Sequence, residues 1–316
     1  MQNNGNFNDN LYKFSALTPW RFIAVVLLYA VGAASFPPSI FYNIFGESRA
    51  AVCFSNFLAR AICSIIPVWL IFEIKLKQIF NGKLFLKNIL PILPFYIVAL
   101  NNFPFLPLIK GNVEFIIGEA PEFALTVFCY VLMCLGISFL EESVFRGIIL
   151  NVIFRKFCKN KNGTELKRGA FLSIILSSAI FGGAHLVNLF AGAGVGATIL
   201  QVGYSFLIGS MCALAAVKSG NFYHAVALHA IFDFGGLLES KGLIEGVIWT
   251  TKNMILTAAV GLIVCVYAIV LFIKNKNNGY LNKIIAPENI AKIVPENMAE
   301  QSASKINAPD DNKNND

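Results

Sequence analysis

The chain has 316 residues, with 25 Lys and Arg against 18 Asp and Glu; 56% of its residues are hydrophobic, 14% are charged, and Phe alone occurs 29 times. Apolar blocks of about 20 residues recur along it, which is the pattern of a helical membrane protein and argues against a water-soluble domain. The net charge of +7 comes from Lys and Arg at the ends of those blocks instead of on one basic face, so it speaks for membrane orientation and against a DNA or RNA partner.

Open sheet edges cannot lie in lipid, and the blocks lack the alternation of a barrel, so the expected fold is all-α: a polytopic membrane bundle of about eight transmembrane helices. Residues 1–18 form a short polar, Asn-rich segment, expected to be cytoplasmic and without the pattern of a cleaved leader. The predicted spans are 19–36, 52–73, 89–109, 123–144, 170–190, 196–217, 221–237 and 254–273, giving one membrane domain over 19–273. Pro91, Pro94, Pro104 and Pro107 predict that the third is bent or broken. Lys75, Lys77, Lys83 and Lys87 follow the second span, and Arg155, Lys156, Lys159, Lys161, Lys167 and Arg168 follow the fourth. The positive-inside rule then puts both loops and both termini in the cytoplasm of what reads as a bacterial cell-membrane protein. Residues 274–316 turn to Asn, Lys, Glu, Ala and Pro and read as a disordered cytoplasmic tail, in which Lys283–Asn289 and Lys292–Asn297 nearly repeat each other. Of the cysteines, Cys53, Cys63, Cys129, Cys134, Cys212 and Cys265 fall in spans and Cys158 in a loop, which predicts reduced packing residues and no disulfide framework.

Three polar constellations interrupt the apolar spans. Glu141 and Glu142 stand together near the predicted cytoplasmic end of span four, with Arg146 four residues after Glu142 and on its helix face; Glu141 points about 100° away. In span five, Phe181-Gly182-Gly183-Ala184-His185 is followed by Asn188, and the paired glycines permit close approach of a helix or a substrate backbone. In span seven, His229 and Asp233 share a face four residues apart, a geometry suited to orienting the imidazole or to holding a metal or water. Each alone has a bland reading: a helix-end ion pair for the acidic pair, a hydrogen-bonded packing residue for His185, and an interhelical hydrogen bond for His229 and Asp233. Together they must satisfy one another inside a bundle, which predicts a polar centre shared by spans four, five and seven. His224, at the predicted cytoplasmic end of span seven, is left outside that centre as an interfacial residue.

A carboxylate and two histidines at one point are the ingredients for activating water, either with Glu141 as general base or through a bound zinc. The ordered set of Glu141-Glu142 with Arg146, Phe181 four before His185, and His229 four before Asp233 resembles the signature of the CPBP intramembrane protease family. That family includes the CAAX prenyl endopeptidases and bacteriocin-processing or bacteriocin-immunity proteins. The resemblance covers roughly residues 120–240 and implies an eight-helix glutamate-type endopeptidase, CAAX-protease-like, with a cavity open to the cytoplasmic side.

What the resemblance implies for the residues is that Glu141 and His185 hold and deprotonate a water, while His229 and Asp233 stabilise the oxyanion. Glu142, Arg146 and Asn188 would support them. As a metalloprotease, the family implies a divalent metal, zinc being the candidate, on Glu141, His185, His229 and Asp233; metal-free water activation is the alternative. Family members often carry Asn where Asp233 stands, and an ionised Asp cannot donate to an oxyanion. Asp233 is therefore protonated, or orients His229, or ligates a metal. The expected substrate is a membrane-associated peptide or protein. Rival readings are a non-catalytic immunity or regulatory protein of the same fold and, third, a transporter, for which no internal repeat is found.

Counted at about 1.5 Å per residue from the predicted cytoplasmic edges, His185 falls about twice as deep as His229, a mismatch that an early start of span five would remove.

Overall fold

In the computed structural model, residues 19–74, 76–158 and 163–246 are described, with positions 255, 259–263, 266–267 and 270. The polar tail and just over half of predicted span 254–273 lie outside them. The described chain is an all-α bundle: α1 (Pro19–Ala34), α2 (Arg49–Glu73), α3 (Ile89–Leu100), α4 (Ala120–Glu142, continuing to Cys158), α5 (Gly163–Ala184), α6 (Val195–Ser219) and α7 (Phe222–Gly236). The two strands, β1 (Val113–Phe115) and β2 (Ile244–Gly246), form an antiparallel ribbon with Glu114 opposite Glu245. Arg49 clamps its approaches by donating to the carbonyls of Ile116 and Gly242 at 3.3 and 2.9 Å.

Four described helical stretches are long and apolar enough to cross a bilayer: Arg49–Glu73, Ala120–Cys158, Glu165–Leu189 and Val195–Ser219. A fifth is possible if α1 and the bent segment Pro38–Phe45 count as one span. The expected eight are thus not all realised as crossings among the described residues. The third breaks where the prolines predict: α3 has 12 residues, turns at Asn101–Phe103, and resumes as the short helix Phe105–Ile109. α7 has 15 residues, about 22 Å against a hydrocarbon core of about 30 Å. Its start is fixed: Gly220 closes α6 in the left-handed conformation (φ 72°) and the Asn221 side chain caps α7 by accepting from the Tyr223 N–H at 2.8 Å.

Two corrections follow from the length of α4. The helix does not stop at residue 144 but runs on to Cys158, so the acidic pair lies mid-helix and not at a helix end. Cys158, expected in a loop, is its fully buried last residue. The six described cysteines are unbridged. α5, in turn, begins at Gly163, the early start that the depth of His185 requires.

Close packing of α2 on α4 fixes the level of the site. Gly136 and Gly147 leave room for Phe57 and Ile71: a Cβ at either would lie 3.0 and 2.4 Å from those side chains. Pro67 lies inside α2 and cannot donate to the Cys63 carbonyl. The Tyr29 hydroxyl donates to that carbonyl instead, which docks α1 on α2. At one end of the bundle the Lys156 ammonium lies 4.4 Å over the Trp20 ring, so the start of α1 and the end of α4 share a level.

Candidate active site

Directly after Glu141-Glu142 the backbone of α4 widens into a π-helical turn, Ser143–Ile149. Such turns displace carbonyls from their usual partners and recur at functional sites. Side chains take up the slack here: Asn151 donates to the carbonyls of Arg146 and Gly147 at 2.7 and 3.2 Å, and Ser177 of α5 donates to that of Phe145 at 3.3 Å.

At the head of this turn the Glu142 carboxylate is fully buried and accepts through one oxygen from Arg146 and from Nδ1 of His229, each at 2.8 Å. The remaining donors of Arg146 have no hydrogen-bond partner among the described residues; its guanidinium instead lies 4.5 Å over the Phe181 ring. Gly209 of α6 makes space for both groups, since a Cβ there would come within 2.8 Å of each. The same Phe181 ring meets His185 and His229 edge-on, at centroid distances of 5.4 and 5.7 Å. Phe181 therefore joins the three motifs at one point.

His229 presents its other nitrogen, Nε2, to Glu141 at 3.8 Å and to Asp233 at 3.6 Å. Both spacings exceed a hydrogen bond and suit a bridging water. The Glu141 side chain keeps 25% of its surface open, against 0% for Glu142, and this separates an accessible carboxylate from a sealed one. Accessibility comes from a cavity of about 1210 Å³ whose walls include Glu141, His185, Asn188, His229 and Asp233. The structure thus brings together all three predicted constellations. Asn188 lies in the 3-10 turn that follows α5 and ties it to α6 by donating to Gln201 at 2.8 Å. Of the two motif glycines, Gly182 serves helix contact, with a Cβ there 2.7 Å from the Val202 carbonyl, and Gly183 meets nothing within 4 Å.

As arranged, these donors do not make a ready set for a divalent metal: no three His, Cys, Asp or Glu side chains among the described residues are placed to hold one. Nδ1 of His229 is already committed to Glu142. That contact also means that the partner holding the His229 ring at hydrogen-bond distance is Glu142, not Asp233.

Several residues of the site escaped the sequence reading. Asn102 donates to the Phe232 carbonyl at 2.7 Å and Tyr130 to that of Phe234 at 2.7 Å, so the last carbonyls of α7 are held from α4 and from the turn after α3. Gly235 and Gly236 permit this approach, with Asn102 atoms 2.6 and 2.8 Å from the Cβ positions. Arg60 and Tyr204 also line the cavity. Arg60 carried the same signal that marked Glu141, a charge inside an apolar span. His224, read as interfacial, is fully buried, stacked on Phe85 at 4.4 Å and hydrogen-bonded to Tyr96 at 2.8 Å.

An all-α membrane bundle with carboxylates and imidazoles gathered at an internal cavity defines a polytopic membrane protein with a polar site inside the bundle. Residues 123–235 match the family model described as type II CAAX prenyl endopeptidase Rce1-like. The match covers about a third of the chain and agrees with the resemblance to the CPBP intramembrane protease family. No curated protein and no solved structure gives a significant match.

Proposed function

We propose that the protein is an intramembrane endopeptidase that hydrolyses a peptide bond of a membrane-associated peptide or protein, with water activated by Glu141. The observation that carries this reading is the asymmetry around His229: a sealed carboxylate, Glu142, holds Nδ1 at 2.8 Å, while Nε2 faces the cavity between Glu141 and Asp233 at 3.8 and 3.6 Å. A carboxylate that accepts from Nδ1 fixes the ring and leaves Nε2 for chemistry.

In the proposed reaction a water lodged beside Glu141, steadied by His185, gives its proton to the Glu141 carboxylate as its oxygen attacks the substrate carbonyl carbon. Charge developing on the carbonyl oxygen is met by Nε2–H of a doubly protonated His229 and by a protonated Asp233. The proton held on Glu141 then passes to the leaving nitrogen as the C–N bond breaks, which returns the carboxylate. Arg146 balances Glu142 and takes no part in bond making.

The test is proteolysis by the purified protein in detergent or liposomes, screened against small membrane proteins of its host, with Glu141→Gln as control. Glu141→Gln preserves shape but removes the base, and turnover is expected to fall by about 10²–10⁴-fold. Unchanged turnover in that variant refutes the mechanism.

A further inference from the structure

We infer that Arg60 forms a carboxylate-binding subsite in the same cavity, so that the protein selects peptides presenting a negatively charged carboxylate to the Arg60 wall of the cavity. The inference rests on the proteolytic reading for its biological use but not for its test. Phe57 packs into the notch at Gly136, and about one turn further along α2 and α4 come Arg60 and Glu141, so the two charges stand at one level of the bundle. Both line the cavity, and they do not pair with each other: Glu141 faces His229 at 3.8 Å instead.

A guanidinium facing an apolar cavity at bilayer depth is costly without a partner or a purpose. Arg60 has a partial partner: Nη1 donates to the Ala33 carbonyl at 2.6 Å, near the C-terminus of α1, where a cation is favoured. That bond uses one of five donors. It also holds the guanidinium against the cavity wall, ready for a bidentate carboxylate contact. A capping role alone does not account for the cavity position, because a neutral donor could serve one carbonyl. The cavity wall includes the apolar Leu27, Ala30 and Val31 of α1, the helix whose Ala33 carbonyl Arg60 holds, so a carboxylate entering there meets Arg60 in a setting where water competes weakly.

The carboxylate has two sources, a free C-terminus or an acidic side chain, and three fluorescent peptides of one apolar sequence separate them: free acid, C-terminal amide, and amide carrying one internal Glu. Binding is measured to the full-length Glu141→Gln protein in detergent, which leaves the peptides intact, and to the same protein with Arg60→Gln or Arg60→Lys added. Thermal unfolding of each variant confirms folding, and Arg60→Lys, which keeps charge and one donor, provides a folded comparison if Arg60→Gln is unstable. The expected result is tighter binding of a carboxylate peptide than of the plain amide by about ten- to hundred-fold, a preference that shrinks with Lys and collapses toward unity with Gln. Preference for the free acid assigns the terminal carboxylate, and preference for the Glu peptide assigns a side chain. Equal binding of all three peptides, or a preference that survives in both Arg60 variants, overturns the subsite. Failure of the protein with Glu141 intact to cleave any peptide, with the Arg60-dependent preference present, sinks the proteolytic reading and leaves the subsite standing.

Discussion

Glu142 holds His229 across the bundle, oxygen to Nδ1 at 2.8 Å, from a position 87 residues earlier in the chain. The same oxygen accepts from Arg146, so one buried carboxylate oxygen serves two partners from two helices. The adjacent pair Glu141-Glu142 is thereby divided in function by helix geometry: the two side chains diverge, one into the cavity and one into the packed core.

Glu142→Gln keeps the shape and an acceptor but removes the charge that holds the imidazole. Turnover is expected to fall by about ten- to hundred-fold, less than for Glu141→Gln, because a ring-orienting group is disturbed and not the base. Measured at equal folded concentration, a loss equal to or greater than that of Glu141→Gln would reverse the assignment of the two carboxylates.

Arg146→Ala should act on the amount of folded protein first. It strips Glu142 of its cation inside the core and leaves Phe181 without its guanidinium, a loss on the order of 3–5 kcal/mol for a broken buried pair. Replacing both members, Arg146→Met with Glu142→Gln, removes the uncompensated charge and should recover part of the folded yield. If the double variant is no better expressed than Arg146→Ala alone, the pair is not what limits folding.

Gly209→Ala tests the packing that seats this pair. The added methyl would lie 2.8 Å from both Arg146 Nη2 and the Phe181 ring, so one must shift, at a cost of about 1–3 kcal/mol. Gly183→Ala, with nothing within 4 Å, should leave thermal unfolding unchanged. Equal unfolding temperatures for the two variants would contradict the close packing at Gly209.

The site was legible in the sequence wherever a charge or imidazole broke an apolar run at helical spacing, as at Glu141, His185 and His229. What was not legible depends on contacts between helices. Nothing local to Glu142 announces His229, and nothing local to Asn102 or Tyr130 announces the carbonyls of α7 that they hold. The length of α4 was hidden for another reason: Arg155 and Lys156 read as a loop, whereas they sit on a helix whose other face is buried through Phe154 and Cys158. Nothing local to His224 announces Phe85 and Tyr96, the rings that cover it.

Topology gives a prediction that is independent of catalysis. Between Arg155 and Arg168 stand six basic residues and one acidic residue, Glu165. A reporter inserted after Asn162 should therefore behave as cytoplasmic. The Lys156–Trp20 contact puts the start of α1 at that same end, so a reporter joined ahead of Pro19 should give the same answer. Opposite answers from the two positions would break the proposed orientation.

Asp233→Asn discriminates between the roles open to that residue. Its carboxylate stands 3.6 Å from Nε2 of His229, and its neighbours hold only backbone carbonyls, so an amide of the same size fits without repacking. An Asn side chain donates a hydrogen bond without needing a proton on the acid. If position 233 donates to the oxyanion, Asp233→Asn keeps turnover or raises it, and a chelator changes neither the parent nor the variant. If Asp233 instead ligates a metal that assembles on the site, the amide is the poorer ligand: turnover falls, a chelator inactivates the parent, and added zinc restores it. Turnover measured for both proteins with and without chelator separates the two, and the first outcome is the one expected from a donor set that does not stand ready for a metal.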